Sequence, residues 1–319
     1  MNLLKLTISC LLIFILSYGV SNAQETTLFV AAAETCDSSE PDVGVLYRVN
    51  PLNGDSMEVG PIEIDGEGVR GVTGLAFLGD GRLVGSANAD FDNVKVAILI
   101  EIDPLTGESV EIGEIGDNGT AGECGRAPDL TYDPATDTLF TMGFQCMGFG
   151  GNGVLMRINQ TTGQGTQMGD TGVNSGAGNG LAIRDDGTLF WATNVVGPDP
   201  TTLFTINPAT GQATEVTAVS EQFVRLNALA FHPVTGVLFA STGNLPQPFD
   251  NLNVLLQTVN TTTGLLTTIG QLPDCSDALI FSPPVTRNVP ALSQWGLIAM
   301  AGILGIVGFM VMRRRKALA

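Results

Sequence analysis

The chain has 319 residues, with 32 acidic side chains against 14 basic ones, a formal net charge of −18 and 44% hydrophobic residues. Such acidity repels nucleic-acid phosphates and anionic lipid headgroups, which argues against binding to DNA, RNA or a membrane surface. With one histidine, His232, the chain lacks the parts for a His-rich zinc site or a Ser-His-Asp triad.

Taken from its start, the chain opens with an export signal. Met1 to Lys5 is a short n-region with one Lys, Leu6 to Val20 is an apolar core, and Ser21-Asn22-Ala23 places small residues where signal peptidase needs them. Residues 1–23 are therefore expected to be cleaved, with an uncleaved N-terminal anchor as the alternative. Export removes Cys10 and leaves Cys36, Cys124, Cys146 and Cys275, an even number for an oxidising compartment. Without the charged ends, nine basic residues face 32 acidic ones, so the body is more acidic than the whole chain.

The body, residues 24–288, is built on an internal repeat. One turn recurs as Asn50-Pro51-Leu52-Asn53-Gly54, Asp103-Pro104-Leu105-Thr106-Gly107, Asn159-Gln160-Thr161-Thr162-Gly163, Asn207-Pro208-Ala209-Thr210-Gly211 and Asn260-Thr261-Thr262-Thr263-Gly264, its glycines 53, 56, 48 and 53 residues apart. Asn or Asp caps the turn, Pro pre-sets φ where present, and Gly accepts a positive φ. An apolar strand precedes each turn, and a weaker one ending near a Gly usually follows, as in Val110-Glu111-Ile112-Gly113. A second hairpin lies upstream, Leu75-Ala76-Phe77 to Leu83-Val84-Gly85, with counterparts opening at Leu130, Leu181 and Leu229. The fifth copy is split: its first strand, Ala278 to Phe281, ends the domain and its second, Leu28 to Ala31, begins it.

This pattern predicts an all-β fold, a five-bladed β-propeller of four-stranded blades closed by N- and C-terminal strands, with a β-helix or two-domain sandwich as the alternative. The alternation of x-L-A-F…G-x-L-F with L-Y-x-I-D-P-x-T-G resembles the NHL and YVTN families of bacterial β-propellers. That resemblance implies the fold and leaves function open.

Turns inside the hairpins are tight, whereas the other connections are long, among them Glu34 to Gly44, Glu114 to Pro128 and Gly243 to Leu252. Strand alternation brings the long ones to one face, where binding sites sit. The stretches Asp65-Gly66-Glu67-Gly68, Asp90-Phe91-Asp92-Asn93 and Asp117-Asn118-Gly119 offer oxygen ligands suited to Ca²⁺, although none matches an EF-hand or RTX repeat, and no other cofactor is expected. Arg70, Arg126 and Arg225 precede Leu75, Leu130 and Leu229 by five, four and four residues, with Asn179 on the matching approach of the fourth blade and Cys275 and Asp277 on that of the first. Guanidinium groups gathered there would hold a carboxylate, sulfate or phosphate, as on an acidic sugar, unless each is paired with a neighbouring carboxylate. Antiparallel hairpins bring Cys124 to Cys146 and Cys36 to Cys275, the pairing predicted among the three that four cysteines allow. His232 takes the turn slot that Asp133 fills in the third copy, and no catalytic residue stands out.

From Val289 to Met312 no residue is charged, and Arg313-Arg314-Arg315-Lys316 follows at once. This reads as a transmembrane helix with a basic stop: Trp295 to Met312 covers roughly 27 Å at helical rise, and the positive-inside rule leaves the basic cluster in the cytoplasm. Pro290, Leu292, Ser293, Trp295 and Gly296 stand in register with the I-P-T-L-S-E-W-G pattern and depart from it at the Ile, Thr and Glu positions. Residues 289–319 thus resemble the IPTL-CTERM class of bacterial sorting tails, relatives of the PEP-CTERM group. The resemblance implies an exosortase-type sorting enzyme as partner, and a permanent membrane anchor is the alternative.

The function expected is that of an exported, membrane-anchored surface module, transferred to the cell surface if the tail is processed, that binds a surface protein or glycan through its long-loop face. The alternative is a propeller hydrolase or lyase acting on a carbohydrate or lactone.

Overall fold

A computed structural model describes residues 23–33, 44–69, 71–91, 94–116, 127–143, 151–174, 180–193, 201–221, 224–244 and 254–287. They fall into two compact units, one of them Thr26–Pro283 and the other drawn from both ends of the chain. In the latter, β1 (Ala23–Glu25) pairs antiparallel with the last strand, β23 (Val285–Arg287).

Among the described residues every regular element is a strand. In chain order the repeat unit runs β2 (Leu28–Ala33), β3 (Gly44–Val49), β4 (Ser56–Ile64) and β5 (Glu67–Gly68), then β6 (Val72–Phe77), β7 (Leu83–Phe91), β8 (Val94–Ile102) and β9 (Glu108–Ile115). It continues with β10 (Leu130–Asp133), β11 (Thr138–Gly143), β12 (Asn152–Ile158) and β13 (Gly165–Asn174), then β14 (Leu181–Ile183), β15 (Leu189–Thr193), β16 (Thr202–Ile206) and β17 (Ala213–Ala218). Last come β18 (Val224–Phe231), β19 (Leu238–Asn244), β20 (Leu255–Val259), β21 (Leu266–Gln271) and β22 (Ser276–Phe281).

Each run of four is an antiparallel meander, and the C-terminal β22 heads the meander of the N-terminal β2, β3 and β4. The split copy read in the sequence therefore closes on itself. The first strands, β22, β6, β10, β14 and β18, contact one another in that cyclic order. Meanders standing around a common axis in this way are the blades of a β-propeller. One feature departs from the expected scheme: β4 runs parallel to β9 over Glu63 with Glu108 and Ile64 with Ser109, and β5 folds back on β4.

Two leucines per meander explain why these strands pack. Leu75, Leu130, Leu181, Leu229 and Leu279 on the first strands, and Leu28, Leu83, Leu139, Leu189 and Leu238 on the second, are at most 1% exposed. Each contributes about 1.5–3 kcal/mol by leaving water. The recurring turns behave as their composition requires. The side-chain oxygen of Asn50, Asp103, Asn159, Asn207 or Asn260 accepts the N–H two residues on at 2.8–3.0 Å, and each turn's final glycine has a positive φ.

Those glycines also form the joints between blades. A Cβ on Gly107 would overlap the Pro61 carbonyl oxygen, and one on Gly60 that of Thr106. The same reciprocal approach joins Gly163 to Gly113, Gly211 to Gly169 and Gly54 to Gly270, while the turn glycine Gly264 rests on Ala218. The glycines that end the weak fourth strands are therefore landing sites for the next turn. Substituting one of them forces two backbones apart. Gly270→Ala, whose new Cβ would meet the Asn53 carbonyl, is expected to cost about 3 kcal/mol or more. Gly236→Ala, strained at φ +66° but facing open space, should cost only about 1–2 kcal/mol. Urea midpoints of the two variants check the order.

His232 caps its own turn and seals the closing joint. Its Nδ1 accepts the N–H groups of Val234 (3.1 Å) and Thr235 (3.3 Å), so the proton sits on Nε2 and points to Thr26 Oγ1 at 3.3 Å. The ring lies against Phe281, 4.7 Å between centroids, and burial holds its pKa below the usual histidine value. A base whose folded pKa is depressed destabilises the fold as pH falls from its unfolded value, about 6.5, towards the folded one. The wild-type chain should lose stability across that window relative to His232→Asn, in which the window's contribution is gone. Melting temperatures of both proteins measured across the window check this.

Candidate functional site

The register of the second-strand leucines superimposes the repeats. Phe77, Tyr132, Ile183, Phe231 and Phe281 pair with Leu83, Leu139, Leu189, Leu238 and Leu28. Three residues before them stand Gly74, Asp129, Gly180, Ala228 and Ala278, where the first strands crowd most closely. A Cβ on Gly74 would lie 2.6–2.7 Å from Leu130 N and the Asp129 backbone, and one on Gly180 would lie 2.6 Å from Leu229 Cγ.

Asp129 is the exception in this column of small residues, and its carboxyl fills the axis. It is fully buried; Oδ1 accepts Leu130 N–H at 2.8 Å, and Oδ2 accepts Leu181 N–H at 2.7 Å and Leu229 N–H at 3.2 Å. One side chain thus ties three blades together. Burial pushes its carboxyl well above the ordinary range, against the pull of the three N–H groups.

One residue nearer the long-loop face, Thr73, Pro128, Asn227 and Asp277 are partly open to solvent. Asn179, the fifth member of that column, lies outside the described residues. In three of these strands the ladder is interrupted at the same place, between Val72 and Gly74, between Leu226 and Ala228, and between Ser276 and Ala278. Such bulges leave one residue unpaired and re-aim its side chain. The residues at the bulges are Thr73, Asn227 and Asp277, all able to hydrogen bond. Thr73 already reaches the next blade, donating to the Ala127 carbonyl at 3.2 Å.

Asp277 is the titratable group of this mouth. Surrounding protein desolvates its carboxyl and raises its pKa to about 6, while Arg225, half-buried on β18, opposes the shift. Arg225 is in turn lowered by burial and supported by Asp277. The mouth therefore offers one cation, a carboxyl that changes charge near neutrality, an amide and a hydroxyl, above a floor closed by Asp129.

Of the arginines expected here, Arg225 is placed beside the mouth; Arg70 and Arg126 lie outside the described residues. Cys275 is disulfide-bonded; Cys36, Cys124 and Cys146 lie outside. So do the tail residues, from Pro290 to Lys316. Among the described residues no helix is long and apolar enough to cross a membrane, and no group of three or more His, Cys, Asp or Glu side chains could hold a metal ion. Of the stretches offered for Ca²⁺, Asp65 to Gly68 is described, and the other two lie wholly or partly outside. A cleft of about 610 Å³ sits where β4 meets β9 and is lined by residues including Glu63, Asp65, Arg82, Glu101, Asp103 and Glu108. Its Arg82 is engaged by Asp80 at 2.7 Å and Glu101 at 3.2 Å.

Sequence reasoning passed over Asp129, Thr73 and Asn227. The signal that finds Asp129 is a lone acid in a column of Gly and Ala, visible once the repeats are aligned by strand register.

Residues 289–315 match the family described as the IPTL-CTERM motif. A tail of this kind implies an exported, membrane-associated protein and processing by an exosortase-like enzyme. No curated protein matches the chain. Solved structures similar to it include a periplasmic gluconolactonase from Pseudomonas aeruginosa, 14% identical, covering 81% of this chain and 99% of that one with a TM-score of 0.43. A putative 6-phosphogluconolactonase from Bacteroides fragilis is 13% identical, with 81% and 98% coverage and a TM-score of 0.42. An exo-beta-1,3-galactanase from Phanerochaete chrysosporium is 11% identical, with 75% and 66% coverage and a TM-score of 0.49.

Replacing Asp129 tests its role at the axis. Asp129→Ala strands three buried N–H groups and should cost about 3 kcal/mol or more. Asp129→Asn can still accept the Leu181 and Leu229 N–H groups while turning its amide towards that of Leu130, so it should fall between Ala and the wild type. Urea unfolding of the three proteins gives the ranking.

Proposed function

We propose that the chain is an exported surface protein in which a five-bladed propeller binds a surface protein or glycan at the mouth of its axis. One observation supports the binding role: three first strands bulge at the same register, at Thr73, Asn227 and Asp277, each partly open to solvent above a buried layer. The cyclic contacts of the first strands support the count of five. The tail motif supports export, with residues 1–23 as signal peptide, 24–288 as the binding domain and 289–319 as the sorting tail, transmembrane before processing. Cys275 is disulfide-bonded, and we read its partner as Cys36 across the split blade, which would leave Cys124 to Cys146. On this reading Arg225 gives the mouth affinity for anionic groups, to which Arg70 and Arg126, expected from the sequence on the same approach, would add.

A second reading, a hydrolase or lyase acting on a carbohydrate or lactone, draws on Asp277, since a carboxyl titrating near neutrality suits general acid or base catalysis. Glycoside chemistry needs a second carboxyl about 5 to 10 Å away at an open site. Among the described residues, the neighbouring candidate is Asp129, which is sealed and engaged by backbone N–H groups. Binding is therefore the preferred role.

In the native host, the full-length chain should be labelled on intact cells by a membrane-impermeant reagent, and its surface form should lack Arg313 to Lys316. A chain truncated after Asn288 should appear in the medium. Protection from the reagent overturns export; a surface form complete to Ala319 overturns sorting and leaves a permanent anchor.

A further inference from the structure

We infer that the mouth of the axis is a saccharide site, in which Asp277, Asn227 and Thr73 hydrogen-bond ring hydroxyls and Arg225 takes the carboxylate when the sugar is acidic. This rests on the proposed surface-binding role and gives it a ligand class. A saccharide presents adjacent hydroxyls, each both donor and acceptor, and is matched by short side chains of mixed character on a rigid frame. The three bulges supply that frame, because they fix an acceptor, an amide and a hydroxyl on strands held by their own blades. All three positions keep partial access to solvent, whereas the next layer down is closed by Asp129 and by glycine or alanine. A ligand can enter the mouth but cannot pass through.

The charge at the mouth supports a polar ligand over a simple anion. Arg225 and Asp277 influence each other electrostatically, each favouring the other's charged form. The charged group of the described first strands that acts on Asp277 is Arg225 from β18, while Asp129, just before β10, is held uncharged by burial. With Asp277 ionised the positive charge is offset, and recognition falls to hydrogen bonds. An ionised Asp277 is also the better acceptor for hydroxyl groups, so neutral sugars should bind more tightly as pH rises through about 6.

The test uses the full-length chain in detergent on an array of neutral and uronic-acid oligosaccharides, with Asp277→Asn, Asn227→Ala and Arg225→Gln alongside. The wild type should bind, and either of the first two substitutions should weaken neutral and acidic sugars by about tenfold. Arg225→Gln should weaken acidic sugars and spare neutral ones. Affinity for a neutral sugar should rise several-fold from about pH 5 to about pH 7, and Asp277→Asn should remove that slope. Circular dichroism of each variant establishes that it is folded, and Asn227→Ala provides the arm in which no charge changes. Sugar binding unaffected by Asp277→Asn and Asn227→Ala overturns the site and leaves the surface-binding role standing. A wild type that binds no saccharide overturns the ligand class, while capture of a cell-surface protein by the same preparation would sustain the broader role.

Discussion

The fold depends on backbone meeting backbone where a turn of one blade lands on the outer strand of its neighbour. At four joints both partners are glycines, Gly60 with Gly107, Gly113 with Gly163, Gly169 with Gly211 and Gly270 with Gly54, and at the fifth Ala218 receives Gly264. At the four paired-glycine joints a Cβ on either partner would meet the facing backbone and push the blades apart. The leucine layers add most of the free energy, but they are apolar and tolerant of small shifts. The glycine joints have no such tolerance, and they set the spacing to which the layers pack.

At the axis the constraint changes character. Four of five equivalent positions are Gly or Ala, and the space they leave is taken by one carboxyl, Asp129, which satisfies backbone N–H groups of three blades. Burying that group is costly, and its three donors offset the cost. Above it, burial alone keeps Asp277 near the point of titration, at about 6, with Arg225 opposing the shift.

Much of this architecture was legible in the sequence because it is written in short-range patterns repeated at a fixed period. The Asn-x-x-x-Gly turns, the paired leucines and the split copy at Leu28 and Ala278 each need only local chemistry to be recognised. Asp129 was hidden for the opposite reason: its partners Leu181 and Leu229 are 52 and 100 residues away, and its oddness appears only against the other blades. The bulges at Thr73, Asn227 and Asp277 were hidden too, since a bulge is a property of a pair of strands. Arg225 was found by its distance from Leu229, yet its relation to Asp277 required knowing that β18 and β22 are neighbours. The parallel contact of β4 with β9 has no counterpart in the repeat and so left no periodic trace.

The glycine joints have a consequence for how such a chain can change over generations. Because the joint is made of main chain, it carries almost no identity: any repeat that supplies a turn glycine at one edge and a landing glycine at the other can stand next to any other. Duplication, loss or exchange of whole repeats in the gene would leave the joints intact, and the connecting loops could diverge freely between them. What resists such shuffling is the centre, where one acid is cut to fit the gap left by four small neighbours. A change in the number of repeats would alter the gap at the axis, and with it the fit of the Asp129 carboxyl to the three N–H groups it accepts.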